Sequence, residues 1–402
     1  MSILILHASV GGGHKSAARA LTREFATLHG SLDPRFVDAF DGADGVFRTV
    51  YTQLALLTMA HAPGIYGAVY RATHDLDGSG TFRKFRSAVN RSQTNRLGAY
   101  LRESRPTAIV CTHFMPLEVA LRERRAGHLS APIYSVVTDY ASHGLWREPD
   151  ADLTFCTPGQ AEADLLEGGI ARERIVASGI PIDPCFAEPY DLATEKRRAG
   201  LSPRRPTVLV LGGGFAMGAM LPVLAEVAEQ VCREADVVVV CGKNEKLKAR
   251  AEKMLAQLEL PGRVLGFVDP LVSLLRGADV VVTKPGGLTT SECLALGKPT
   301  VFYEVAPGQE ALNARHVVER GAGIAADSPE EAASAALQLV RSPARRAALA
   351  DRARAIGRPR AAKAIVATVL RHLKANGLLS PLAESALPQR GLELAGERRV
   401  VA

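Results

Sequence analysis

Short, continuously apolar runs recur along the chain and alternate with stretches of helical length. In the first half they are Ser2–Ala8, Ala108–Thr112, Ile133–Thr138 and Leu153–Cys156. In the second they are Thr207–Leu211, Val237–Cys241, Val280–Thr283 and Thr300–Tyr303. Strands that are apolar on both faces belong to parallel sheets covered by helices on either side. The Ala-, Leu- and Glu-rich stretches between them supply those helices. The pattern predicts an α/β chain built on parallel sheets.

The same pattern shows where the chain divides. Residues 181–206 carry Pro181, Pro184, Pro189, Pro203 and Pro206, with the charged run Glu195-Lys196-Arg197-Arg198. That is linker composition. A fresh strand, Thr207–Leu211, then runs into Gly212-Gly213-Gly214, so each half opens with an apolar strand and a glycine triplet. The expected division is an N-terminal domain over 1–185, a linker over 186–206, a C-terminal domain over 207–378 and a flexible tail over 379–402. The last helix of the second domain is expected to pack back on the first. A chain of 402 residues suits two domains of ordinary size.

Composition narrows the class. Hydrophobic residues make up 47%, enough for full cores, and no apolar run approaches the roughly 20 residues that span a bilayer. Met1–Leu6 has no basic flank and is a first strand rather than a signal peptide, which implies a cytoplasmic chain. The six cysteines are scattered and none sits at metal-ligand spacing, so neither a metal nor a disulfide is expected. The net charge is +7, and much of it is local: between residues 78 and 130 ten Arg or Lys oppose three acids. A second basic excess lies between Arg341 and Lys374. Such stretches suit phosphate-rich or anionic-membrane partners, or simply a solvated helix face. No ordered recognition motif accompanies them, so no nucleic acid is expected.

The glycine loops carry the chemistry. Ser9-Val10-Gly11-Gly12-Gly13-His14-Lys15-Ser16 follows the first strand directly and leads into a helix over Ala17–Leu28. Bare backbone there admits a ligand closely, and the helix N-terminus points unpaired N–H groups at the same space. It is not a P-loop, because His14 separates Gly13 from Lys15, and it lacks the third glycine of a dinucleotide fingerprint. It is either a tight turn or an anion or substrate site. His14 lies in the first helical turn, where the dipole disfavours protonation and keeps imidazole available as a base. Lys284-Pro285-Gly286-Gly287-Leu288-Thr289-Thr290-Ser291-Glu292 repeats the device after a strand, with hydroxyls and a carboxylate in the first helical turns. Gln309, Glu310 and Asn313 form a later polar cluster suited to sugar hydroxyls.

With these motifs in order, the chain resembles glycosyltransferase family 28, and within it the monogalactosyldiacylglycerol synthase and processive diacylglycerol glucosyltransferase branch. The likeness is carried by Gly11–His14, by Val137-Thr138-Asp139-Tyr140 through His143 and Trp146, by Ser178-Gly179-Ile180-Pro181-Ile182, and by the stretch from Lys284 to Asn313. It implies a GT-B fold, two Rossmann-like domains facing across a cleft, with inversion at the anomeric carbon and no bound metal. His14 resembles the base that activates the acceptor hydroxyl. Gly286, Gly287 and Thr289 would hold the diphosphate, with Gly213 and Gly214 nearby. Glu292 would bind ribose, Phe267 and Val268 would flank uracil, and Gln309, Glu310 and Asn313 would face the sugar. Gly12, Gly13, Asp139 and His143 would lie on the acceptor side.

The resemblance implies transfer of a hexose from UDP-glucose or UDP-galactose to a lipid, diacylglycerol, at the inner face of the cell membrane. The segment from Gly45 to His74 interleaves Phe47, Tyr51, Tyr66 and Tyr70 with Arg48 and Arg71, which suits either an anionic membrane surface or a core helix. Asp150-Ala151-Asp152 has the form of a metal–diphosphate motif, but it directly precedes an apolar strand and is expected to be a loop. Three other activities share the pattern: GlcNAc transfer to a polyprenyl-linked peptidoglycan precursor, UDP-GlcNAc 2-epimerisation, and non-catalytic UDP-sugar binding.

Overall fold

The computed structural model describes residues 1–9, 12–28, 32–41, 95–213 and 220–379. Gly11, Gly214, the mixed apolar and basic segment 45–74, and Arg83, Lys84, Arg86 and Arg91 lie outside the described residues. Two all-parallel sheets organise the rest. The first contains β1 (Ser2–His7), β2 (Asp33–Asp38), β3 (Ala108–Cys111), β4 (Ile133–Val136), β5 (Leu153–Cys156) and β6 (Ile175–Ala177). Their spatial order is β2-β1-β3-β4-β5-β6. The second contains β7 (Thr207–Leu211), β8 (Asp236–Val240), β9 (Arg263–Leu265), β10 (Val280–Thr283), β11 (Thr300–Phe302) and β12 (Gly323–Ala325), in the order β12-β11-β10-β7-β8-β9. In that sheet the strand order reverses beside β7, the arrangement that opens a crevice at the carboxyl ends of the central strands. All eight strands expected from apolar runs are present, and the four additional ones are the sheet edges.

Among the helices that line the cleft or brace the sheets beneath it are α1 (Gly12–Leu28), α2 (Phe114–Arg125), α3 (Leu192–Arg198), α4 (Gly287–Leu296), α5 (Gln309–Val318) and α6 (Ala361–Ala375). Alternate residues of β1 feed opposite faces of the first sheet. Ile3 and Ile5 join one core with Phe25 of α1, while Leu4 and Leu6 join another with Leu117 and Leu121 of α2. The chain crosses back at its end: Ile365, Val366, Val369, Leu370 and Leu373 of α6 complete the Ile3–Ile5 core. Tyr134 Oη and His372 Nδ1, 2.9 Å apart, fix the angle of this helix. Leu379, the first residue of the expected flexible tail, is buried in the same core; residues 380–402 lie outside the described residues.

The expected linker, 186–206, is ordered and docked. Asp191 caps α3 by accepting from the Thr194 N–H at 2.8 Å. Lys196 is 3% exposed and donates to Asp279 Oδ2 at 2.6 Å and to the Arg205 carbonyl at 2.7 Å. A buried ammonium is tolerated only with such partners. The charged run that looked like free linker is therefore clamped to the base of the second sheet.

Candidate active site

α1 opens at Gly12, five residues before the helix start suggested by the sequence pattern, so Gly13 and His14 belong to its first turn. Two threonines from neighbouring strand ends hold the imidazole. His14 Nδ1 lies 2.8 Å from the Thr112 carbonyl oxygen and 2.9 Å from Thr138 Oγ1. A carbonyl only accepts, so Nδ1 carries the proton and Nε2 the lone pair. Thr112 Oγ1 donates in return to the His14 carbonyl at 2.9 Å. The buried His113 ring meets His14 edge-on, with centroids 4.6 Å apart, while its own Nδ1 accepts from Met115 N–H to cap α2. Burial lowers the His14 pKa to about 4, opposed by the Thr112 hydrogen bond. The half-buried imidazole is neutral at neutral pH.

Opposite His14, the α4 N-terminus supplies the second glycine loop. Gly286 is the extended N-cap and Gly287 the first helical residue. A Cβ at Gly12, Gly213 or Gly286 would meet nothing within 4 Å, so these backbones face open space. Gly213 also has φ +73°, a conformation that side chains disfavour. A Cβ at Gly13 would lie 3.4 Å from Leu288 Cδ2, so the two glycine loops meet across the cleft.

Between them is a cavity of about 420 Å³. Gly12 and Gly13 line it from the first half; Gly213, Gly286, Gly287, Thr289, Glu292 and Glu310 line it from the second. Phe267 and Val268 form another part of its wall, with Phe267 55% exposed and Lys243 Nζ 5.1 Å from its ring centroid. Burial, reinforced by the Asp183 carboxylate, raises the Glu292 pKa to about 8. Burial also raises Glu310, against the pull of Lys284.

The cavity wall also includes residues that the sequence motifs do not single out, among them Ser16, Arg19 and Arg23 of α1. Their spacing of three and four puts them on one helical face, a signal that was present. Arg19 Nη1 bonds Asp269 Oδ2 at 2.9 Å, and Arg23 pairs with Asp183. The threonines holding His14 were legible only after folding, because 98 and 124 residues separate them from it.

Thr138-Asp139-Tyr140 bridges the halves. Asp139 Oδ2 accepts from Gln309 Nε2 at 3.0 Å and Oδ1 from Asn313 Nδ2 at 3.1 Å. Burial raises the Asp139 pKa to about 6, and the Asn313 bond opposes this. Asn313 is 1% exposed; its Nδ2 also donates to the Pro285 carbonyl at 3.0 Å, and its Oδ1 accepts the Tyr140 N–H at 2.8 Å. Both amide hydrogens of Asn313 are thus engaged within the protein, and in this arrangement it is a strut between the halves. His143 is 4% exposed, accepts from Leu145 N–H at 3.2 Å and caps the short Gly144–Trp146 turn. It does not line the cavity.

Asp150 and Asp152 do form the loop before β5, and arginines occupy them: Arg125 Nε bonds Asp150 Oδ2 at 2.6 Å, and Arg124 pairs with Asp152. Arg102 and Arg122 likewise converge on Glu123. The described end of the basic stretch is therefore largely charge-compensated. Among the described residues no group of three or more His, Cys, Asp or Glu is arranged to hold a metal, and no helix is long and apolar enough to cross a membrane.

Comparisons with known proteins agree across both halves. The monogalactosyldiacylglycerol (MGDG) synthase family matches residues 14–182, and the glycosyltransferase family 28 C-terminal domain matches residues 207–365. A processive diacylglycerol beta-glucosyltransferase of Bacillus subtilis strain 168 is 29% identical over 331 residues, covering 82% of this chain and 84% of that protein. One from Bacillus cereus strain AH187 is 27% identical, covering 96% and 98%. Acinetobacter baumannii MurG superposes with a TM-score of 0.57 at 15% identity, over 92% of this chain and 99% of that one. A UDP-GlcNAc 2-epimerase from Neisseria meningitidis superposes at 0.58 and 12%, over 92% and 100%. These structures share the GT-B fold of two parallel sheets. With both halves matched in order, the chain carries a monogalactosyldiacylglycerol synthase domain over residues 14–182 and a glycosyltransferase family 28 C-terminal domain over residues 207–365, and over most of its length it is similar to processive diacylglycerol beta-glucosyltransferases.

Proposed function

We propose that this glycosyltransferase moves a hexose from a UDP-sugar to diacylglycerol with inversion at the anomeric carbon. The observation that carries the reading is the His14 tautomer: Nδ1–H is tied to the Thr112 carbonyl, so Nε2 keeps its lone pair as a base, on the residue directly after the cavity-lining Gly12 and Gly13. The acceptor hydroxyl gives its proton to Nε2 as its oxygen bonds the anomeric carbon. The bond from that carbon to the diphosphate oxygen breaks, and its electron pair leaves with UDP. Backbone N–H groups of Gly287 and the rest of the first turn of α4 meet the charge that develops there, the Gly286 N–H being already bonded to the Lys284 carbonyl at 2.9 Å. Each such donor is worth roughly 2–4 kcal/mol in the transition state. In this reading that cradle, with Arg19 and Arg23 nearby, does the work a metal does in other transferases.

Glu292 fits a ribose diol, and the exposed Phe267 ring fits a base. The names of the curated relatives favour glucose as the sugar and diacylglycerol as the acceptor. A lipid acceptor implies work at a membrane surface. The test is a radiolabel transfer assay with diacylglycerol in anionic liposomes and UDP-glucose, UDP-galactose and UDP-GlcNAc in parallel, with EDTA present. Label from UDP-glucose in the lipid phase is the expected result. UDP release or binding without lipid product discards diacylglycerol, and loss of transfer on adding EDTA discards the metal-free mechanism.

A further inference from the structure

We propose that Asp139, on the acceptor half, fixes the hydrogen-bond polarity of Gln309 on the donor half and so selects among hexose donors. This rests on the reading that Gln309, the neighbour in α5 of the cavity-lining Glu310, faces the donor sugar. An ionised carboxylate only accepts, so the Gln309 group at 3.0 Å from Asp139 Oδ2 must be the Nε2 amine. The amide is planar, and its Oε1 then points away from Asp139. Gln309 is half-buried and is the first residue of α5, so the helix fixes its backbone. Gln309 therefore presents an acceptor, and a sugar hydroxyl opposite it must donate.

Asp139 is itself held firmly. Its other oxygen takes Asn313 Nδ2 at 3.1 Å, and the Asn313 amide is oriented by the Tyr140 N–H and the Pro285 carbonyl. Tyr140 Oη reaches Ser291 Oγ at 2.8 Å on α4. The preceding residue, Thr138, places Oγ1 2.9 Å from His14 Nδ1. One tripeptide thus joins the candidate base to a candidate sugar contact, and the polarity of that contact exists only while the halves are closed. Asp139 is a positioning residue in this scheme, since it acts through Gln309.

The test is calorimetric and needs no acceptor lipid. Affinities for UDP, UDP-glucose and UDP-galactose are measured for the wild type and for Asp139→Asn, Gln309→Ala and the double variant. Asp139→Asn is expected to leave UDP affinity within about twofold, to weaken the preferred UDP-hexose on the order of tenfold, and to narrow the ratio between the two hexoses. In the Gln309→Ala background Asp139→Asn adds nothing further, because the residue through which it acts is gone. Additive losses, an unchanged hexose ratio, or an equal loss of UDP itself would overturn the proposal. A wild type that discriminates UDP-hexoses yet glycosylates no lipid would sink the diacylglycerol reading while leaving this test intact.

Discussion

A Cβ added to Gly287 would lie 2.2 Å from the Thr138 carbonyl oxygen. The helix that opens the donor loop and the segment that contacts His14 are packed with no room for a methyl group. Locally, alanine favours a helix over glycine, so any penalty at this position comes from contact between the halves. Gly287→Ala is expected to force the cleft apart and to cost on the order of 1–3 kcal/mol as overpacking does elsewhere. Chemical denaturation would read the stability, and small-angle scattering the separation of the halves. A variant with wild-type stability and scattering would mean that the two loops do not meet in solution.

His14 makes a prediction through its pKa. Burial holds it at about 4, well under the usual 6.5. A base must be unprotonated to act, so kcat at saturating donor should rise through about pH 4 and stay flat across neutral pH, with no step near 6.5. His14→Ala should lower kcat by roughly 10²- to 10⁴-fold, the usual contribution of a general base, while UDP binds as before. Near-normal turnover in that variant would remove the base assignment. A step near the ordinary imidazole value would mean that the ring is hydrated in the working enzyme.

Central strands were legible because burial on both faces demands continuous apolar runs, as in Val237–Val240 and Val280–Val282. The edges were not. β2 reads Asp-Pro-Arg-Phe-Val-Asp with only partial burial, while β6, β9 and β12 have three residues each. A short strand paired on one side needs little apolar content, so its pattern is weak. The glycine loops were legible for a local reason, since a strand–glycine–helix junction is contiguous in sequence. What sequence could not supply was pairing across the cleft. Gln309 and Asn313 carry sugar-binding chemistry, but that both meet Asp139 depends on residues 170 and 174 positions away.

The return of α6 to the first sheet predicts where stability resides. Ile365 is 0% exposed among Ile3, Ile5 and Phe25, although it follows the whole second sheet in sequence. Ile365→Ala leaves a cavity in that core and is expected to cost about 2–5 kcal/mol. Truncation before Ala361 uncovers one face of the first sheet and should yield aggregated protein rather than a smaller folded one. A soluble, cooperatively unfolding truncated chain would show that α6 is dispensable to the core it completes here.

Glu292 ties donor binding to pH. Its carboxyl is raised from 4.5 to about 8, first by burial and then by Asp183. The folded protein therefore prefers it protonated, and its ionisation costs stability increasingly as pH climbs from about 4.5 towards 8. A ribose diol donates two hydrogen bonds, which favours the ionised carboxylate. UDP binding near neutral pH should then expel a proton from Glu292, with the release fading above about pH 8. Calorimetry in two buffers of different ionisation enthalpy counts that proton directly. Glu292→Gln should abolish the buffer dependence and weaken UDP roughly tenfold or more, as loss of charge-assisted hydrogen bonds does. Equal heats in both buffers for the wild type, or undiminished UDP affinity in the variant, would place the ribose elsewhere in the cavity.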